Sequence, residues 1–399
     1  MPLVKSVRCV LLTSPYADPD DPEIKECFPN GARRTIGMVE ITLDNGVTGL
    51  GEGYLAVFAP LVFQSIVDLC RPYMLGLEGF DIAGAVRRLR SLCDYWSLQG
   101  AARHVISAFE TALQDAKGRS LGLPVHELLG GAKIDRIAIY GSGGCCDAKQ
   151  QFEREFELLR SKGIAQYKIR SVKRDIFRTV WVLNQAAQRG IRVGVDMCQN
   201  LADPPQAVED VVEFVAKVHE LTPQRMMFIE EAIGPDSPEG FRELRRRIDV
   251  PVYGGEIITT PGEMIERMRN GVYDAVQPDA SVIGGISAVM DIFDAGRRYD
   301  TRVVVHAWGG AAAIMASYHA AFAAGGDLVE FPMLAFPLGA EMIGDQGRIE
   351  AGRLLRPTAP GLGLTLTPEM EARYRFDPSA VYSCVLNDWG PPPDDHWRS

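Results

Sequence analysis

The chain has 399 residues, of which 46% are hydrophobic and 24% are charged, as is typical of a soluble globular protein. Its formal net charge of −10 argues against a nucleic-acid partner, because nucleic-acid binding favours basic surfaces. No apolar run is long enough to span a membrane, and the N-terminal one is too short for a signal peptide, so we expect a cytoplasmic protein. The eight cysteines lack CxxC spacing and are predicted to be reduced thiols.

The first part of the chain predicts a small α+β unit. Residues 3–13 alternate like a strand, and residues 35–43 predict a second strand that enters a tight hairpin turn at Asn45-Gly46. Helical periodicity follows over three segments, at about 60–75, 81–97 and 101–118. We expect the third helix to end at Gly118.

From about residue 135, short apolar runs alternate with amphipathic helical segments. The apolar runs are RIAIYGS, QYKIRS, IRVGVDM, MMFIEEA, PVYGGEI, DAVQPDA, RVVVHAWG and DLVEFP. Repeated β–α units predict parallel strands covered by helices, and eight of them favour a closed barrel over a doubly wound sheet. After Leu355 the chain is rich in proline and glycine, and we expect it to return to the first unit. The predicted divisions are residues 1–134, 135–354 and 355–399.

Three carboxylates lie where successive predicted strands end. Asp196 closes IRVGVD, Glu230 closes MMFIE, and Glu256 follows PVYGG. Singly, each could be a surface or helix-capping acid. Together, the three oxygen ligands at one rim of a barrel suit Mg²⁺ and leave coordination positions for substrate and water.

An acid and a histidine follow on the next two strands. Asp279 ends the sixth strand and His306 ends the seventh. A carboxylate that holds a histidine ring fixes its tautomer and raises its basicity, which predicts a general base. Glu330 ends the eighth strand and could donate a hydrogen bond if it is held protonated.

The segment AQYKIRS carries two cations on one face of the second barrel strand. Lys168 and Arg170 are two residues apart, so their side chains point the same way. Both suit the stabilisation of negative charge, and Lys168 could also titrate beside Arg170. An arginine is a poor base because it stays protonated in proteins.

These sequence motifs together resemble those of the mandelate racemase branch of the enolase superfamily. The resemblance rests on ALQDAKGRSLGLPVHELLGG, on the strand ends VDM, IEEA, GGE and PDASVIGGIS, and on the histidine of the seventh strand. It implies a modified (β/α)8 TIM-type barrel with an α+β capping domain formed by the N-terminal region and the C-terminal tail. It also implies specificity loops around residues 18–36 and 51–60, and a homo-oligomer.

The resemblance assigns roles to the strand-end residues. It implies one Mg²⁺ held by Asp196, Glu230 and Glu256, an Asp279–His306 dyad, and Glu330 near the carboxylate of the intermediate. The chain departs from the family pattern at three positions: Arg170 replaces a frequent lysine that serves as a second base, Cys198 replaces a common asparagine, and Ala232 replaces a proline.

We therefore predict abstraction of the proton α to a carboxylate, with Mg²⁺ stabilising the enediolate. With Arg170 in place of a second base, the favoured reaction is dehydration of a sugar acid, an aldonate or aldarate, to a 2-keto-3-deoxy acid. A racemase or epimerase and a cycloisomerase acting through the same enediolate are the alternatives. A binding protein that lost turnover is the least favoured.

Four further residues are candidate substrate contacts. Arg33 and Arg34 could meet a distal carboxylate or hydroxyl groups, or could lie in a solvated loop. Tyr54 and Ser142 are weaker candidates for the same role. The expected partner is a small-molecule carboxylate, without nucleic acid or membrane.

Overall fold

The computed structural model of the protein describes residues 1–15, 33–145, 148–334, 336–380 and 397. Its N-terminal part is an antiparallel three-stranded sheet in the order β1-β2-β3, packed against helices. The strands are β1 (Val4–Pro15), β2 (Arg33–Leu43) and β3 (Thr48–Glu52). The helices are α1 (Leu55–Phe58), α2 (Pro60–Met74), α3 (Ile82–Cys93), α4 (Ala101–Leu121) and α5 (Val125–Leu128). We call this part the cap.

The turn prediction at Asn45-Gly46 is confirmed, because Gly46 has a φ of 84° between β2 and β3. The predicted end of the third helix at Gly118 is wrong, since α4 continues to Leu121 and Gly122 adopts the left-handed conformation that ends it. A Cβ at Gly118 would lie 2.7 Å from the Leu123 carbonyl oxygen and 2.8 Å from the Gly361 Cα. This glycine allows close packing within a helix that continues past it.

The second part is the predicted barrel. Its strands are β4 (Arg136–Ser142), β5 (Gln166–Arg170), β6 (Arg192–Asp196), β7 (Ile229–Glu230), β8 (Val252–Gly254), β9 (Ala275–Val276), β10 (Arg302–Val303) and β11 (Leu328–Pro332). Strands β4 to β10 pair in parallel in chain order, and β11 pairs with β4. A bridge between Val305 and Val329 links the seventh strand to the eighth and completes the ring.

Helices follow the strands and cover the barrel. They are α6 (Lys149–Ser161), α7 (Ile176–Gln188), α8 (Val208–Leu221), α9 (Pro238–Arg247), α10 (Pro261–Arg269), α11 (Ile286–Tyr299), α12 (Ala311–Ala324) and α13 (Pro337–Ile343). After them come β12 (Ile349–Glu350), β13 (Arg353–Leu355) and α14 (Pro368–Arg373). No helix in the described part of the chain is long and apolar enough to cross a membrane.

The segment after Leu355 returns to the cap sheet, as expected. The Thr13 amide donates to the Tyr374 carbonyl at 2.8 Å, and Arg8 forms an ion pair with Glu371 at 2.7 Å. The cap thus contains two segments that lie more than 300 residues apart in the chain. The barrel segment lies between them in the sequence.

A buried histidine pair joins α5 to α12. The His126 backbone amide donates to His319 Nδ1 at 3.2 Å, and His126 Nδ1 lies 3.1 Å from the same atom. Burial and the neighbouring His126 lower the pKa of His319 to about 3. A proton on Nδ1 of His319 would face an N–H donor, so the folded protein binds that proton more weakly than the unfolded chain does.

This pair predicts acid sensitivity. The stability that neutral His319 contributes is complete above the unfolded histidine pKa of about 6.5 and is lost as the pH falls below it. Between about pH 7 and pH 5, the free energy of unfolding should fall by about 2 kcal/mol more in the wild type than in His319→Gln. Urea unfolding at both pH values measures this difference. Equal losses in the two proteins would contradict the assignment.

Candidate active site

The predicted site residues converge at one end of the barrel. Because all eight strands run parallel, their C-terminal ends meet at the same rim. The barrel residues placed there are Ser142, Lys168, Arg170, Asp196, Glu230, Glu256, Asp279, His306 and Glu330. Register supports the grouping, since Arg170 pairs with Asp196 and Asp196 pairs with Glu230 across neighbouring strands.

Lys168 lies at the centre of a buried carboxylate cluster. Its Nζ is 2.5 Å from Glu230 Oε1, 2.9 Å from Glu330 Oε1 and 3.7 Å from Asp196 Oδ2. The lysine, Glu230 and Glu330 are fully buried. Burial opposes the charged form of the lysine, but Glu230 and Glu330 outweigh this effect and hold the pKa of Lys168 well above its ordinary value. One ammonium therefore balances several carboxylates.

The donor chemistry at this cluster fits a divalent cation. Asp196, Glu230 and Glu256 supply carboxylate oxygens, the ligands that Mg²⁺ prefers. Asn200 donates to Glu256 Oε1 at 2.7 Å, and its own Oδ1 is buried without a hydrogen-bond partner among the described residues. Within the described ranges, no three His, Cys, Asp or Glu side chains converge as a ready-made metal cage. Lys168 instead contacts two of the three carboxylates.

His306 and Asp279 form a hydrogen-bonded pair. His306 Nδ1 lies 2.7 Å from Asp279 Oδ2, while its Nε2 faces Glu256 Oε2 at 3.3 Å. The Ser281 amide and hydroxyl donate to the other oxygen of Asp279 at 2.7 and 2.6 Å. Burial opposes a charged ring, yet Glu256, Glu330 and Asp279 raise the pKa of His306 to about 10. The dyad is oriented so that Nε2 faces the carboxylate cluster.

Arg170 extends the polar rim towards the first strand. Its Nη1 donates to Ser142 Oγ at 2.9 Å and to the Gly143 carbonyl at 3.0 Å. Its Nε and Nη2 make no hydrogen bond within the described residues, and the Asp196 carboxylate is 3.7 Å from Nε. That edge of the guanidinium has the geometry for a bidentate contact with a carboxylate.

Trp308, two residues after His306, contacts one arginine of the cap and one of the barrel through its ring. Its ring centre is 4.7 Å from Arg170 Cζ and 5.3 Å from Arg34 Cζ. Arg34 is buried at this contact, whereas Arg33 is exposed and pairs with Asp377 at 3.0 Å. The structure thus brings Arg34 to the rim and directs Arg33 to the C-terminal segment.

The cap also contributes Tyr54. Its ring packs edge-on against His306 with 6.3 Å between ring centres, and its amide donates to the Ser281 carbonyl at 3.3 Å. The predicted specificity loop around residues 18–36 lies outside the described residues up to residue 32.

Two residues of the site, Gln277 and Trp308, were not predicted from the sequence. Gln277 donates to Glu230 Oε2 at 2.7 Å, and Trp308 is the contact between Arg34 and Arg170. Gln277 lies two residues before Asp279 in QPDAS, and Trp308 follows His306 in VVVHAWGG. Their position beside predicted site residues was the one available signal.

Comparison with known proteins places this geometry in a family. The enolase C-terminal domain-like family matches residues 151–370, and the N-terminal domain of the mandelate racemase / muconate lactonizing enzyme family matches residues 24–130. The chain belongs to this family. The predicted membership in the enolase superfamily and the predicted cap-and-barrel fold are confirmed.

The relatives of this enzyme include dehydratases and a cycloisomerase. Arabinonate dehydratase of Saccharolobus solfataricus is 25% identical over 85% of this chain and 90% of its own length. Muconate cycloisomerase 1 of Rhodococcus opacus is 28% identical over 91% of this chain and 96% of its own length. L-Talarate dehydratase from Polaromonas sp. JS666, solved with Mg and L-glucarate, has a TM-score of 0.78 at 22% identity, covering 94% of this chain and 98% of that one. This last likeness supports the fold.

The cluster predicts an effect of Lys168 on stability. Replacement by methionine leaves Glu230 and Glu330 buried without their ammonium, which should lower the free energy of unfolding by about 3–5 kcal/mol. Added Mg²⁺ should recover more stability in Lys168→Met than in the wild type, because it supplies the missing positive charge. Urea unfolding with and without Mg²⁺ measures both effects.

Lys217→Met is the matched control, since Lys217 forms an exposed pair with Glu220. It should change stability by less than about 1 kcal/mol and should respond to Mg²⁺ as the wild type does. Equal behaviour of the two variants would contradict the central role of Lys168 in balancing the cluster.

Proposed function

We propose that this enzyme removes the proton α to the carboxylate of a sugar acid, an aldonate or aldarate, and dehydrates it to a 2-keto-3-deoxy acid. The observation that carries the proposal is the His306–Asp279 pair, whose Nε2 faces carboxylates at the strand ends. The dehydratases among the relatives support the reaction class.

In this proposal His306 is the base when its ring is neutral, which requires that the negative charge of Glu256 and Glu330, two of the carboxylates that raise the pKa of the ring, is balanced in the loaded site. Asp279 accepts a hydrogen bond from Nδ1–H and orients the ring, so that Nε2 takes the proton from C2 of the substrate. The resulting imidazolium then gives its proton to the departing C3 hydroxyl, which leaves as water. The enol that remains tautomerises to the 2-keto-3-deoxy acid, so each atom of the substrate is accounted for in the product and one water.

The residues around the base stabilise negative charge. When bound by Asp196, Glu230 and Glu256, Mg²⁺ supplies positive charge at the substrate carboxylate, which makes the α-proton more acidic. Lys168 and Arg170 add fixed positive charge at the same rim, an electrostatic contribution that is usually large in such reactions. Glu330 is held beside Lys168 and the Ala307 amide, which donates to it at 3.0 Å.

The geometry around Lys168 and Arg170 favours a site with one base. Lys168 is engaged by two carboxylates within 2.9 Å, and Arg170 remains protonated in proteins. A racemase needs competent bases on both faces of the carbon, whereas a dehydratase can use the same histidine first as base and then as acid. A lyase is therefore better supported than a racemase or epimerase.

We also propose how the substrate is held. Arg34 and Arg170 lie against Trp308 at the boundary between cap and barrel, where hydroxyl groups or a distal carboxylate of a sugar acid would bind. Ser142 and Tyr54 border the same space.

A cycloisomerase is the second candidate. It would use the same enediolate without loss of water, and the similarity to muconate cycloisomerase 1 favours it among the isomerases. A binding protein without turnover is the least supported, because the hydrogen bond between His306 and Asp279 and the nearby carboxylates favour proton transfer.

The test is a panel of aldonates and aldarates incubated with the enzyme and Mg²⁺, in which a 2-keto acid is detected chemically and by NMR. We expect one or a few configurations to yield a 2-keto-3-deoxy acid. A product of unchanged mass would instead indicate an isomerase, and no product from any acid would refute dehydration.

The same assay tests the base. His306→Asn should lower turnover by about a hundredfold to ten-thousandfold, the usual contribution of a general acid–base residue. His219→Asn, which changes a histidine on α8 paired with Asp249, should leave turnover unchanged. Turnover by His306→Asn at the wild-type rate would refute the assignment.

A further inference from the structure

The two barrel helices that follow the dyad residues begin without side-chain caps of their own. Helix α11 follows Asp279 and is preceded by Gly285, while α12 follows His306 and is preceded by Gly310. Neither glycine can satisfy the free backbone N–H groups of the first helical turn. Left buried without partners, such donors would be destabilising.

For each of these helices, a glutamate of the cap domain accepts hydrogen bonds from the backbone N–H groups at the helix start. Glu52, the last residue of β3, accepts from the Gly310 amide at 2.7 Å and from the Ala313 amide at 3.2 Å. Glu110, in the middle of α4, accepts from the Ile286 amide at 2.8 Å and from the Ser287 amide at 3.1 Å. Both glutamates are buried, and each faces the positive end of a helix dipole.

The glycines make room for these carboxylates. A Cβ at Gly310 would lie 2.6 Å from Glu52 Oε2, and one at Gly285 would overlap Glu110. Gly310 has a negative φ of −91° that any residue can adopt, so close approach of Glu52 is the reason for glycine there. Gly285 has in addition a φ of 100°. Close approach of a glutamate therefore explains Gly285 in the segment GGIS and Gly310 in the segment WGG.

Cap helix α4 also holds the loop that carries Asp279. Ser107 and Glu110 are three residues apart, so they share one face of the helix. Ser107 Oγ accepts from the Gly284 amide at 2.8 Å, and the Tyr54 amide, also in the cap, donates to the Ser281 carbonyl at 3.3 Å. Ser281 in turn donates twice to Asp279, so the cap is linked to the dyad through one intervening residue.

We infer that Glu52 and Glu110 are positioning residues for the His306–Asp279 base, and that the cap therefore orients the base as well as contacting the substrate. The inference rests on the proposed function. Glu52 fixes the start of α12 and with it the HAWGG loop, and Glu110 fixes the start of α11 and the loop after Asp279. The two glutamates contact backbone amides at the helix starts and act on the base through them.

Glu52→Ala and Gly310→Ala test the inference from the two sides of one contact. The first removes the carboxylate, and the second keeps it but displaces it from the helix start. Each should lower kcat about 10- to 100-fold with KM changed by less than about twofold, since small displacements of a catalytic group impair chemistry more than binding. Glu52→Gln, which retains an acceptor oxygen, should recover most of the lost kcat.

Gly262→Ala is the matched control. Gly262 lies in the first turn of α10, and an added Cβ there has nothing within 4 Å. It should leave kcat unchanged. Hydrogen exchange followed by mass spectrometry should show faster exchange of the segment 306–313 in Glu52→Ala and Gly310→Ala, but not in Gly262→Ala.

Wild-type kcat in both Glu52→Ala and Gly310→Ala, or a loss that merely follows the unfolded fraction, would overturn the inference and leave the proposed dehydration intact. If the wild-type enzyme converts no sugar acid, the proposed function itself fails, and the inference fails with it. The panel of acids therefore separates the two outcomes before any variant is made.

Discussion

Repulsion among buried carboxylates is the constraint on which this end of the barrel depends. Glu230 and Glu330 are fully buried, and Asp196 and Asp279 are nearly so. Such groups stay charged in a protein interior only when cations or hydrogen-bond donors face them. Lys168 faces three of them. These three carboxylates explain why a lysine can be fully buried in this protein.

The negative charge that Lys168 leaves unbalanced makes this site suitable for a cation. Asp196, Glu230 and Glu256 present oxygen ligands, and the buried Oδ1 of Asn200 adds an amide oxygen without a partner in the described residues. A divalent cation would complete this balance and would at the same time stabilise charge that develops on a carboxylate substrate. In the proposed mechanism, structural stability and catalysis thus depend on the same electrostatic requirement.

The sequence allowed much of this arrangement to be predicted, because strand ends leave local signals. Polar residues that close apolar runs located Asp196, Glu230, Asp279 and His306, and parallel strands bring such residues together wherever they lie in the chain. The turn at Asn45-Gly46 was predictable for the same reason, since its geometry depends on adjacent residues.

Contacts between distant segments could not be predicted in this way. Glu52 accepts a hydrogen bond from Gly310, which lies 258 residues away in the chain. Neither residue belongs to a sequence pattern that identifies its partner. Gly118 is not the helix end that the sequence predicts, because a glycine that permits close packing looks the same in sequence as one that ends a helix. The pairing of Arg34 with Trp308 likewise depends on how the cap lies on the barrel.

The most direct test of the account is hydrogen exchange at the α-carbon of a 3-deoxy sugar acid, which has no C3 hydroxyl to lose. With Mg²⁺ in D₂O, we predict that the wild-type enzyme introduces deuterium at C2 with retention of configuration, and that His306→Asn does not. Exchange with inversion would show a base on the opposite face of the carbon. Exchange that persists in His306→Asn would show that another residue removes the proton, and either result would contradict a single base at His306.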